Sequence, residues 1–253
     1  MVGLVIRETL GLYRRLFGPL VLASFLIFLP FTIALLALEF AVPDTTSTQQ
    51  GLAIIDAVGS LLLFAPLASI VVIRSAIALE QGGEAQVRHQ VEPAFGLLVR
   101  YVFTQVLVLL VIVALPGVLI AAGYAANSPT IMTMGVGVLL GSALLNGVRL
   151  TVATVAVVTG DAFNILALRR SAGLTRGNWL RTLGVIVTLT AIALVIAVVV
   201  SSIGLAFPEG AARSVGTSVF GLIGNALTVP IIALGTYRLY RALEAQASAR
   251  RAA

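Results

Sequence analysis

Residues 98–123 read LVRYVFTQVLVLLVIVALPGVLIAAG, and no side chain from Tyr101 to Gly123 is an acid, an arginine or a histidine. A bilayer core about 30 Å thick takes roughly 20 apolar helical residues to cross. This stretch meets that length. Applied outward in both directions, the same reading gives six spans: approximately Pro19 to Val42, Gly51 to Ile73, Leu98 to Gly123, Thr130 to Val152, Leu183 to Phe207 and Val215 to Tyr237. The first is too long for the apolar region of a signal peptide, and no small-residue cleavage site follows it. The chain is therefore expected to keep its N-terminus.

The composition agrees with a membrane solvent. Of 253 residues, 59% are hydrophobic and 10% are charged, and the mean hydropathy is +1.09. Soluble domains carry about a quarter charged residues, so a water-soluble fold is excluded. The chain has no Cys and one His, His89. Disulfides, thiolate metal sites, a cysteine nucleophile and histidine-rich metal centres are thereby excluded, and no cofactor is expected. All 16 basic residues are Arg, and the net charge is +6. These arginines lie between long apolar runs rather than on a soluble basic domain, so the expected anionic partner is a membrane surface and not nucleic acid.

Orientation follows from where the arginines fall, because cytoplasmic loops retain positive charge. Arg7, Arg14 and Arg15 precede the first span, and Arg74, Arg88 and Arg100 lie between the second and third. Arg169, Arg170, Arg176 and Arg181 lie between the fourth and fifth, and Arg238, Arg241, Arg250 and Arg251 follow the sixth. The opposite loops, Pro43 to Gln50, Tyr124 to Pro129 and Pro208 to Ser214, contain only Arg213. The chain is thus expected in the cell membrane as a multi-pass protein with both termini cytoplasmic.

Self-comparison suggests a threefold repeat. Leu-x-Arg-x-x-aromatic occurs as Leu12, Arg14, Phe17, as Leu98, Arg100, Phe103, and as Leu174, Arg176, Trp179. Each copy precedes an odd-numbered span. The shift that carries Arg14 onto Arg100 also carries Leu29-Pro30 onto Leu115-Pro116, and Pro66 to Glu80 can be laid on Pro230 to Glu244 with matches at Pro230, Arg238, Ala242, Leu243 and Glu244. The expected architecture is one all-α membrane domain, residues 1–253, with six transmembrane helices in three hairpins. Each hairpin is preceded by a cytoplasmic amphipathic helix. The units run approximately 1–82, 83–160 and 161–245, with a short tail at 246–253. In the third unit Asp161 is placed to cap a helix whose Phe163, Leu166, Leu174 and Trp179 alternate with Arg169, Arg170 and Arg176. Such a helix can lie in the headgroup layer, its arginines toward lipid phosphates.

The stretches RETLGLYRRLFGPL from Arg7 to Leu20, Leu29-Pro30, and ALRRSAGLTRGNW from Ala167 to Trp179 resemble the membrane domain associated with glycerophosphoryl diester phosphodiesterases, and related six-span families of unknown function. The resemblance covers nearly the whole chain and implies architecture. In fused members of that family the hydrolase activity is expected in a separate soluble barrel carrying acidic metal ligands. This chain has no such domain, so no catalytic residue is carried over.

Two sets of residues are candidates for a site. Arg14, Arg100 and Arg176, at equivalent repeat positions, serve either to fix topology and membrane depth or to bind anionic lipid headgroups. Asn146 and Arg149, with Ser142, share a helical face, and Asn225 sits with Ser218 and Thr228 on span six, so Asn146, Arg149 and Asn225 can form an intramembrane polar cluster between spans four and six. The preferred reading of Arg149 is an inner-interface residue, since it lies 27 residues before Arg176 much as Arg74 lies 26 before Arg100. Asp56 and Glu39 read as outer-end carboxylates reached by water. His89 and Glu92, with Arg88 and Glu84, read as a solvated face. Gly137 and Gly141 permit close helix approach, and Pro30, Pro66, Pro116 and Pro230 fall inside spans, where neighbouring helices can satisfy the freed carbonyls.

The function expected from these features is that of a non-enzymatic accessory or scaffold. Its partners would be anionic lipid, a membrane protein of envelope or lipid homeostasis, or a second copy of itself. The alternative is a small transporter or lipid translocator using the polar faces of spans four and six. An enzyme is the least supported class, because no convergent set of catalytic groups is present. The topology is checked by cysteine labelling on this naturally Cys-free chain. Ser47→Cys is expected to react only from outside and Ala85→Cys only from the cytoplasmic side.

Overall fold

The computed structural model describes residues 1–42, 45–82 and 88–252, and all six apolar segments form helices long and apolar enough to cross a membrane. Pro43, Asp44, Glu84, Ala85 and the Arg88 side chain lie outside the described residues. Every regular element among the described residues is helical. Helix α1 spans Val2–Ala41. The second span is α2 (Thr46–Gly59), a π-helical turn (Ser60–Phe64) and α3 (Ala65–Glu80). The third is α4 (Arg88–Ala125). The fourth is broken into α5 (Pro129–Ser142), a second π-helical turn (Ala143–Gly147), α6 (Val148–Leu150) and α7 (Ala153–Val158). Then come α8 (Asn164–Thr175), α9 (Trp179–Leu205) and α10 (Ala211–Ala252). The protein is an all-α, multi-pass membrane protein.

The expected pre-span helix is a separate element in the third unit alone. Helices α1 and α4 run unbroken for 40 and 38 residues. At about 1.5 Å per residue each is close to 60 Å long, roughly twice a hydrocarbon core, so the arginine-bearing segments extend the spans instead of lying beside them. Gly18-Pro19 does not stop α1, whose dihedrals stay helical through both Pro19 and Pro30. In the third unit Gly177 sits at φ +79, the left-handed conformation that ends a helix, and it separates α8 from α9. Residues 246–252, expected as a tail, continue α10.

One of the prolines explains irregular backbone, and another lies beside a bond from a neighbouring helix. Pro66 has no N–H to offer the turn before it, and the ladder there slips into the π-helical register of Ser60–Phe64. The Leu61 carbonyl in that turn accepts from Gln105 Nε2 on α4 at 3.0 Å. Near Pro230, the Leu227 carbonyl accepts from the Tyr13 hydroxyl on α1 at 3.1 Å. In both places a side chain of another helix meets a carbonyl in irregular or proline-adjacent backbone, as a medium without water requires.

Packing is concentrated at the arginine-rich end. Helix α1 buries Val5, Thr9, Leu12, Leu16, Leu20, Ser24 and Phe28, a stripe at spacings of three and four, and it runs antiparallel along α10. Helix α3 is buried over most of Pro66 to Ala76, and α7 buries Ala153 and Val155 through Val158. Most of the apolar ones join Leu234, Tyr237, Leu239, Tyr240 and Leu243 of α10 in one core, while Phe28 and Ala68 form a smaller cluster with Leu222. At the other end α2 buries nothing and α5 only Gly135. Spans three and four pack together, as do five and six.

Close approach in these pairs depends on glycine. A Cβ on Gly123 would lie 2.6 Å from the backbone nitrogen of Met132, whereas Gly137 and Gly141 have open space around them. Gly123→Val is expected to pry α4 from α5 and cost about 1–3 kcal/mol. Gly137→Val is expected to be neutral within about 0.5 kcal/mol, and thermal unfolding of both variants in the same detergent checks the contrast.

Candidate functional site

After Pro230, α10 carries Tyr237, Arg238, Tyr240, Arg241 and Glu244 on a surface that meets α1, α3, α8 and the turn before α8. Helix α3 ends at Glu80. Its carboxylate accepts from the Tyr237 hydroxyl at 2.5 Å and pairs with Arg238 Nη1 at 2.7 Å and Arg241 Nε at 3.8 Å. Arg238 also lies 4.0 Å from Glu8 of α1. One α10 turn further, the fully buried Tyr240 donates to Asp161 Oδ2 at 2.7 Å and accepts from Arg170 Nε at 2.8 Å. Arg170 bonds Glu244 and lies 3.6 Å from Asp161, and Glu244 also faces Arg241 at 3.6 Å. Partial burial opposes the Arg170 charge, but the hydrogen bonds to Glu244 and Tyr240 more than offset it and hold the guanidinium pKa above its ordinary value.

This cluster ties four parts of the chain together and leaves its central carboxylates satisfied. Asp161, expected as a helix cap, instead accepts from Thr159 and Tyr240, and α8 begins after Phe163 with no side-chain cap. The reason is competition: an arginine and two hydroxyls converge on the same carboxylate. No group of three or more His or acidic residues is arranged to hold a metal ion among the described residues. Shallow clefts of about 390 Å³, lined by Glu80, Asp161, Tyr237, Arg241 and Glu244, and about 320 Å³, lined by Arg170, Glu244 and Arg251, flank the cluster.

A second feature lies where α6 meets α8 and α9. Span four breaks after α6, and the Arg149 carbonyl there accepts from Ser171 Oγ of α8 at 2.7 Å, which docks the break onto that helix. The neighbouring cleft has a volume of about 600 Å³ and is lined by Leu145, Arg149, Thr175, Arg176, Gly177 and Trp179, among others. Gly177 turns the chain so that Arg176 and Trp179 line the same cleft. The C-terminal part of α10 approaches from behind, with Arg250 Nη1 3.5 Å from the Arg176 carbonyl.

The sequence-predicted residues are distributed as follows. Arg14 is exposed on α1, with neither acid nor ring against it. Arg100 is exposed on α4, its guanidinium 4.7 Å from the centre of the Phe163 ring. Arg176 lies in the α8–α9 turn and lines the cleft with Arg149. Asn146 donates to Ser142 Oγ at 3.2 Å within its own helix, and Asn225 is exposed on α10. Neither asparagine lines the Arg149 cleft, whose second wall is α8 and the α8–α9 turn instead of span six. Asp56 accepts from Ser60 at 3.1 Å, Glu39 accepts from Ser214 of α10 at 2.7 Å, and His89 and Glu92 are exposed.

The cluster around Glu80 was not read as a site. Its signal was the match of Ala78-Leu79-Glu80 to Ala242-Leu243-Glu244, whose two glutamates enter the same network, and the interleaving of Tyr237 and Tyr240 with Arg238 and Arg241. No protein-family model, curated protein or solved structure matches this chain.

Glu80 and Arg238 are only about a quarter exposed. Glu80→Ala removes the acceptor of Tyr237 and the nearest counter-charge of Arg238, and it is expected to cost about 2 kcal/mol, less than a fully buried pair because water reaches the rim. Arg251→Ala, at an exposed position, is expected to change stability by less than about 0.5 kcal/mol. Unfolding curves of both variants in one detergent check the difference.

Proposed function

We propose that this chain is a non-enzymatic membrane accessory or scaffold that associates with anionic lipid at its arginine-rich end, which lies in the cytoplasm with both termini. The observation that carries the reading is the division among the arginines. Arg170, Arg238 and Arg241 are matched by carboxylates within the bundle. Arg14, Arg149, Arg176 and Arg251 are exposed and have no acidic partner among the described residues. The first group holds helices together. The second is available to phosphate, each residue contributing about 1 kcal/mol to attraction toward an anionic leaflet.

The resemblance to the phosphodiesterase-associated membrane domain supports a place in envelope or lipid homeostasis without the hydrolase chemistry. Enzymatic action gains no support from the acidic residues, since Glu80, Asp161 and Glu244 each face an arginine and are engaged in structure. A lipid translocator is the second reading, favoured by the broken fourth span. The Arg149 cleft does not support it, because neither Asn146 nor Asn225 lines that cleft.

Native mass spectrometry of the purified chain with mixed phosphatidylglycerol and phosphatidylcholine tests the proposal. Several-fold preferential retention of the anionic lipid is expected, declining as salt shortens the Debye length below about 8 Å. Equal retention of the two lipids at low salt would sink it.

A further inference from the structure

Three properties coincide in the cleft at the α8–α9 turn. Arg149 and Arg176 both line it, and neither has a carboxylate partner among the described residues. Trp179 lines it too, and its indole nitrogen is buried with no hydrogen-bond acceptor. That nitrogen has no accessible surface, so it is the ring of Trp179 and not its N–H that faces the cleft. The first turn of α9 begins here without a side-chain cap, which adds free backbone donors but does not carry the inference. A volume of about 600 Å³ falls within the range of small-ligand sites, roughly 300–1,000 Å³.

The donors specify the ligand chemistry. Two guanidinium forks offer donors only, and their complement is an acceptor-only anion with several oxygens, as in a phosphate ester. The surroundings specify what bears it. Leu145 lines the cleft, and Leu144, Leu145 and Leu180 beside it are 48%, 51% and 74% exposed on helices that cross the membrane. A ligand with acyl chains can cover those leucines, whereas inorganic phosphate cannot.

We propose that this cleft binds one anionic phospholipid, its phosphate held by Arg149 and Arg176 beside the Trp179 ring and its chains running along Leu144, Leu145 and Leu180. The site rests on the lipid-associating function proposed above and narrows it from a charged face to one place. It also assigns Arg149 and Arg176 a joint role that neither the repeat nor the span-four polar face gives them.

Trp179 is the only tryptophan, so its fluorescence reports on the site directly. The full chain is placed in nanodiscs containing brominated phosphatidylglycerol or brominated phosphatidylcholine at equal mole fraction. The anionic lipid is expected to quench Trp179 roughly twofold more or better, in line with local enrichment by two arginines. The advantage is expected to vanish in Arg149→Gln/Arg176→Gln and to persist in Arg14→Gln/Arg100→Gln. Equal quenching by the two lipids in the unaltered chain overturns the site, and that comparison needs no variant to fold. Loss of the advantage in excess inorganic phosphate would make the free anion the ligand and overturn the lipid assignment, while an undiminished advantage supports it. If native mass spectrometry shows anionic preference without selective quenching, the site fails and the wider function stands. If both preferences are absent, both fail.

Discussion

The register of the bundle depends on the Glu80 carboxylate. In lipid, apolar helices gain little by touching one another, because acyl chains are as apolar as leucine, so polar contacts and close packing decide which helix faces lie together. Glu80 ends α3, which is buried over most of Pro66 to Ala76, and joins it to Tyr237 and Arg238 of α10, while Arg238 reaches Glu8 of α1. One carboxylate thus sets the mutual depth of the first, second and last spans. Tyr240 and Arg170 extend the constraint to α8. The core is densest where this network lies, and it thins toward α2 and the outer half of α5, where no ion pair ties either helix to its neighbours among the described residues.

Irregular backbone in the spans follows the same economy. A carbonyl freed inside a bilayer must find a donor. Gln105 supplies one to the π-helical turn of span two, before Pro66, and Tyr13 adds a second donor to the Leu227 carbonyl of span six. Both donors sit on long, unbroken helices, so α1 braces its neighbour α10 and α4 braces the interrupted second span. Their continuity through the arginine-bearing segments serves that role, since a hinge at residue 18 or 98 would weaken the placement of Tyr13 or Gln105.

What was legible in the sequence was whatever depends on local composition. Six long apolar runs announced six spans, and the arginine distribution singled out one end, because both properties are fixed by the solvent and not by tertiary contacts. The continuity of α1 was hidden by Gly18-Pro19, which reads as a break in water but is tolerated when neighbouring helices hold the chain. The role of Asp161 was hidden because a cap is a local inference, whereas its partners Arg170 and Tyr240 arrive from elsewhere in the chain. The grouping of Asn146, Arg149 and Asn225 followed correct helical spacing within each span. Spacing along one helix does not say which other helix it faces, and Arg149 faces α8.

That last contact explains why the third amphipathic segment, unlike the first two, is a separate helix. Span four stops being helical at Thr151–Val152, and a break of this kind needs protein or water on every side. Helix α8 supplies it: Ala167, Ser171 and Thr175, spaced by four, are buried toward the bundle, and Ser171 donates to the Arg149 carbonyl. A helix continuous with α9, as the corresponding segments are continuous in α1 and α4, would project away from the bundle and leave that carbonyl bare. The Gly177 turn folds α8 back over the break, and its opposite face still presents Ile165, Leu166 and Arg169 outward. The element that seals the interrupted span therefore also keeps an exposed face of leucine, isoleucine and arginine, and the arginine cleft forms at the seam between that element and α9.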